Sequence, residues 1–200
     1  MVTDDSLDDG RLVVRFVSGD ASAFEALVAR NMRLAGAVAY SVTGDLDAAR
    51  DVVQESFLKV HAGLTALKEP DAFKGWLRNV VRTTALDWRR RNKKGVQSLD
   101  ALRGEDSDGL DPAAPTEALS ESLEDRDELR RQVREEIARL PESHREVVAL
   151  KYLDGKSYEE IEALTGLSQA TIESRLFRAR QKLKTRFERT LARRTGDRNE

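Results

Sequence analysis

The chain contains no cysteine among its 200 residues. It therefore holds no disulfide, no thiolate nucleophile and no cysteine-built metal site. Histidine is nearly absent as well. His61 and His144 are the two present, too few for a histidine-rich zinc or iron centre, and both read as ordinary surface or partly buried positions. Proline occurs four times, at 70, 112, 115 and 141, so helices can run unbroken over long stretches between. No apolar run approaches ~18 residues, and no direct membrane insertion is expected. The opening VTDDSLDDG is acidic and polar, unlike a signal peptide, which makes the cytoplasm the expected location. A glycine-rich phosphate loop and a metal-ligand cluster are missing too. Neither an enzyme nor a cofactor or metal is expected.

What is present is charge, 35% of residues, with a net of −2. That near-neutral total hides a pattern. Residues 1–70 carry net −4, residues 71–97 net +6, residues 98–130 net −8 and residues 131–200 net +4. Within the last block, 175–198 holds ten Lys/Arg against Glu188 and Asp197. A single basic run can be a solvated helix face. Two such patches on two candidate domains, with an acidic stretch between, point instead to a polyanion touched by both.

Residues 98–115, SLDALRGEDSDGLDPAAP, combine glycine, proline and five acidic groups without periodicity, which reads as a linker. The expected architecture is all-α: a small helical domain over 1–95, a flexible acidic linker over 96–119, and a second small helical domain over 120–195. In the first, Leu12, Val13 and Phe16 mark a short helix ending near Gly19. Phe24, Leu27, Val28 and Met32 open a second that runs to Gly44. Leu46, Ala49, Val53, Phe57, Val60 and Leu64 recur at steps of 3 and 4, one face of a helix of about five turns. After a connector with Pro70, Phe73, Leu77, Val80, Val81 and Thr84 form a further apolar face. Lys74, Arg78, Arg82 and Arg89 lie on the other side of that helix, a basic stripe suited to a polyanion. Trp76 reads as core.

In the second domain, Val133, Ile137 and Leu140 end one helix at Pro141. Val147, Val148 and Leu150 mark the next, up to Leu153. Ser157 with Glu160 three residues on is a capping box, and Thr165-Gly166-Leu167-Ser168 is a tight turn whose last residue caps a long helix. That helix carries Ile172, Leu176, Ala179, Leu183 and Phe187 on its apolar face. Two helices joined by a short glycine-containing turn match a helix-turn-helix, for which a plain helical hairpin is the alternative. As a DNA reader it turns Gln169, Ala170, Glu173 and Ser174 outward toward base edges, with Arg175, Arg178 and Arg180 suited to phosphates. Phe177 stands off the apolar stripe and is expected to pack on the neighbouring helix, the alternative being contact with a thymine methyl.

Two stretches carry a family resemblance. DAARDVVQESFLKVHAGL (47–64) with FKGWLRNVVRTTALDWRRRNKK (73–94) is similar to the second conserved region of bacterial RNA polymerase sigma factors of the sigma-70 family, extracytoplasmic-function (ECF) type. ARLPESHREVVALKYLDGKSYEEIEALTGLSQATIESRLFRARQKL (138–183) resembles the fourth region. The resemblance implies a protein that binds core polymerase, recognises −35 and −10 promoter elements and promotes DNA opening. It implies docking on the clamp helices of the polymerase's largest subunit through Asp51, Gln54, Glu55, Phe57 and Leu58. It places Lys74, Arg78, Arg82, Thr83, Asp87, Arg89 and Arg90 against the −10 strand. The −35 element falls to 171–180, including Thr171, and that domain also meets the −35-side subunit surface of the polymerase. The acidic linker is expected to cross a positive channel of the enzyme, and an anti-sigma partner is expected. Two positions depart from the family: Thr83 stands where asparagine is usual, and Glu173 where a basic residue is usual. Glu173 gives up a phosphate attraction and gains the ability to accept from a cytosine N4 group. The competing function is a conventional helix-turn-helix regulator that never docks on polymerase.

Overall fold

A computed structural model describes residues 8–100 and 131–196, and all regular structure among them is helical. Helix α1 (Asp9–Val17) starts at Asp8, whose carboxylate accepts from the Arg11 backbone N–H at 2.8 Å. Helix α2 (Ala21–Thr43) starts at Asp20 and stops at Gly44, which takes the left-handed φ of 72° that a side chain would strain. Helix α3 (Leu46–Gly63) is capped by Asp45, which accepts from the Ala48 N–H at 2.7 Å. Short 3₁₀ turns over Leu64–Ala66 and Pro70–Ala72 lead into α4 (Phe73–Asp100). Leu12, Leu27, Val38, Val60, Phe73, Leu77 and Val81 are sealed among these four helices, each large side chain contributing about 1.5–3 kcal/mol by leaving water. Trp76 is half-buried on the rim of this core, its ring 6.3 Å from that of Phe73.

The second cluster begins with a helical segment over 131–138, here α5. Helix α6 (Glu142–Val148) passes into a π turn over Ala149–Leu153, closed by the Asp154 N–H donating to the Ala149 carbonyl at 3.1 Å. Helix α7 (Tyr158–Thr165) opens on the expected capping box: the Glu160 N–H donates to the Ser157 hydroxyl, and the Ser157 N–H to the Glu160 carboxylate at 2.8 Å. Gly166 ends it at φ 71°. Ser168 then accepts from the Thr171 N–H at the start of α8 (Gln169–Gly196). Leu140, Val147, Leu150, Ile161, Ile172 and Leu176 are buried.

Two details differ from the sequence reading. The buried residues of both clusters form one continuous apolar core, because α2 packs against α6 and the π turn, and α4 against α7. Pieces this small have marginal cores of their own, and docking adds burial. In addition, α4 continues through Asp100, past the boundary expected at 95. The rest of the expected linker, and the first residues of the expected second domain, lie outside the described residues.

Candidate nucleic-acid interface and docking groove

On α3, Asp51, Gln54 and Leu58 are exposed, Leu58 to 74%. Glu55 is half-buried and held by Lys59 at 2.7 Å and Arg91 at 2.8 Å, and these hydrogen bonds keep its carboxyl below the usual range. Phe57 is turned into the core, with 8% of its surface exposed. Beside this face runs an apolar groove of about 870 Å³ between α2 and α3, lined among others by Met32, Val53, Gln54, Phe57 and Leu58. His61 sits at its edge against two rings, 5.2 Å from Phe16 and 4.8 Å from Phe24. The second cluster reaches the same groove through Leu153, whose carbonyl accepts from Arg33 at 2.9 Å.

Along α4 the basic stripe exists as expected, but three of its members, Arg78, Arg82 and Arg89, face the second cluster. Arg78 is paired with Glu146 of α6, the two side chains 13% and 8% exposed. Arg82 and Arg89 share Glu142, at 2.7 and 2.8 Å. Burial pushes the Glu142 carboxyl up, yet the hydrogen bonds and charges of Arg89 and Arg82 outweigh it and hold the group below its ordinary value. Lys74 lies 3.6 Å from Asp9, and Arg90 3.0 Å from Asp87. Thr83 is exposed, while Thr84 is buried and its hydroxyl accepts from Lys59 at 3.1 Å.

The N-terminal face of α8 is open. Gln169, Ala170, Glu173, Ser174, Arg178 and Arg180 are exposed; Thr171 and Arg175 are half-buried. Thr171 shares a 2.9 Å hydroxyl contact with Ser168, which fixes the helix start. Arg180 donates to the Tyr152 hydroxyl at 3.2 Å. Phe177 does not pack on the neighbouring helix as expected: it is 61% exposed on the same open side as the arginines. His144 approaches α8 from α6. Burial, then the charges of Lys182, Arg175 and Arg178, hold its imidazole below the usual range.

Sequence reasoning missed Arg145. Its guanidinium is buried and donates to the Ser41 carbonyl at 2.7 Å, to the Val42 carbonyl at 3.3 Å and to the Ala138 carbonyl. It thereby satisfies carbonyls at the C-terminal end of α2, where the helix dipole favours a cation. Burial lowers its pKa, opposed by Tyr40 and Glu142. Tyr40 adds a hydrogen bond across the same junction, donating to the Arg134 carbonyl at 3.0 Å. No local signal marks these residues, since their partners lie far away in sequence.

The family model for Sigma-70 region 2 matches residues 27–95, and that for Sigma-70, region 4 matches residues 130–183. The chain belongs to the ECF sigma-70 family of RNA polymerase sigma factors. This ECF sigma factor is 36% identical to the ECF RNA polymerase sigma-E factors of Escherichia coli K12 and Salmonella typhimurium LT2 over 184 residues, 88% of this chain and 93% of theirs. Its fold is similar to that of CnrH solved with the cytosolic domain of CnrY (TM-score 0.60, 27% identity, 90% of this chain and 97% of that one). It is also similar to the sigma factor RpoE solved with the anti-sigma factor NepR from Bartonella quintana (TM-score 0.56, 25% identity, 82% and 96%). As a sigma factor it binds core RNA polymerase and promoter DNA and is not an enzyme. Among the described residues, no helix is long and apolar enough to cross a membrane.

Proposed function

We propose that this sigma factor divides its work between its two clusters. The first docks on the clamp helices of the polymerase's largest subunit through Asp51, Gln54, Glu55 and Leu58, with Phe57 supporting the helix from beneath. It holds the −10 strand through Lys74, Arg78, Arg82, Thr83, Asp87, Arg89 and Arg90. The second reads the −35 element through Gln169, Ala170, Thr171, Glu173 and Ser174, with Arg175, Arg178 and Arg180 on phosphates. No covalent step is involved. Each unstacked base step costs a few kcal/mol, which binding to the separated strand and to polymerase must offset.

The observation that carries this reading is the exposed N-terminal face of α8 behind a capped helix-turn-helix, in one chain with the α3 groove face. An anti-sigma factor is a further expected partner, supported by the likeness to a sigma factor solved with NepR. The test is in vitro transcription with purified core enzyme over a randomised promoter library. Transcripts should select two conserved elements, and Glu173→Lys should change the preferred bases in the upstream one. An absence of transcripts with core enzyme contradicts the reading.

A further inference from the structure

A seam of contacts between α3 and α4 is not used by the docking and −10 assignments. At one end Gly63 closes against Trp76: a side-chain carbon at Gly63 would stand 3.3 Å from the indole ring. One turn back along α3, the Lys59 ammonium donates to the hydroxyl of buried Thr84 at 3.1 Å. The same ammonium lies 2.7 Å from one Glu55 oxygen, and the Arg91 guanidinium donates to the other at 2.8 Å. Positions 55, 59 and 63 recur every four residues on α3 and so share one face. Their partners run the opposite way along α4, at 91, 84 and 76.

These ties set an angle as well as a distance. Apolar contacts have no preferred direction, whereas hydrogen bonds do. Each residue of an α-helix turns its side chain by about 100° relative to the one before. Thr84 and Arg91, seven positions apart, therefore point nearly the same way. Thr83, Asp87 and Arg90 fall together about a quarter turn to one side of them. Thr83 and Arg90 are exposed, Asp87 is half-buried, and Arg90 is held 3.0 Å from Asp87. All three belong to the set proposed for the −10 strand.

We propose that Lys59 is a positioning residue for the −10 strand: together with Arg91 it hangs α4 on Glu55 of the docking helix, and so sets the rotation at which Thr83, Asp87 and Arg90 meet the DNA. The inference rests on the assignment of α3 to polymerase and of α4 to the −10 strand. Because Glu55 lies on the helix that meets polymerase, the face of α4 is oriented relative to the enzyme that delivers the strand. Without the ammonium, Thr84 loses its donor and Glu55 keeps only Arg91, a side chain in solvent.

The experiment uses holoenzyme assembled from core polymerase and the full chain, on a promoter selected from the randomised library. It reads the affinity of the chain for core enzyme, and DNA opening as permanganate reactivity of unpaired thymines. Lys59→Met keeps the unbranched side chain and removes the charge. It should leave core affinity within about two-fold of the wild type and lower opening about five-fold. Thr84→Val removes the same tie from α4 with no change of charge, and should divide the two readouts in the same sense. Lys59→Arg restores a cation with donors for both partners and should recover at least half of the lost opening, which a role in packing alone would not. Wild-type opening with Lys59→Met overturns the proposal. So does wild-type opening with Thr84→Val, which would mean that the Lys59 charge acts directly, or a loss of core affinity as large as the loss of opening. Absence of opening with the wild-type holoenzyme overturns instead the assignment on which the proposal rests.

Discussion

Phe57 and Leu58 are adjacent on α3, and the helical rotation between them sends one inward and the other into solvent. Phe57 is packed in the core, so Phe57→Ala should leave a cavity and cost about 3 kcal/mol in urea unfolding. Leu58→Asp should change stability by no more than ~0.5 kcal/mol, because the side chain is exposed. A comparable loss in both variants would contradict this division. The apolar steps along α3 made Phe57 readable as part of a stripe, but family likeness alone groups it with the docking residues. Its burial shows that it shapes the groove from below. Phe177 teaches the converse. The ring is 61% exposed, beside the exposed Arg178 and Arg180, rather than packed on the neighbouring helix.

Element boundaries follow from local chemistry, and those were the most legible features. Gly44 and Gly166 supply left-handed helix ends, and Ser157 with Glu160 supplies a reciprocal cap. Ser157→Ala should destabilise the second cluster by about 1 kcal/mol and raise hydrogen exchange at the first amides of α7. Unchanged protection there would show that the cap contributes nothing. Asp8, Asp20 and Asp45 cap α1, α2 and α3 by the same rule. Each stands just before an apolar-periodic run, the position from which a carboxylate can accept from the first free amides of a helix. The π turn over Ala149–Leu153 was not readable. It depends on a five-residue hydrogen bond that the periodicity of Val147, Val148 and Leu150 does not distinguish from an ordinary helix.

At the scale of the whole molecule, the helix-turn-helix, the order of the two regions and the basic stripe were all legible. How the clusters meet was not. Arg78 and Glu146 are 68 residues apart, and Arg145 and Ser41 are 104 apart, and nothing local couples such positions. Amphipathicity says that a stripe is charged but not which surface neutralises it, so a stripe suited to DNA and one covered by glutamates look the same in sequence. The account predicts that the chain docks on polymerase through the exposed face of α3. Purified chain mixed with inhibitor-free core enzyme should co-elute with it on gel filtration, and the Asp51→Arg/Leu58→Asp variant should elute alone while melting at the wild-type temperature. Failure of the wild-type chain to associate with core enzyme, or retention of full association by that variant, would contradict it.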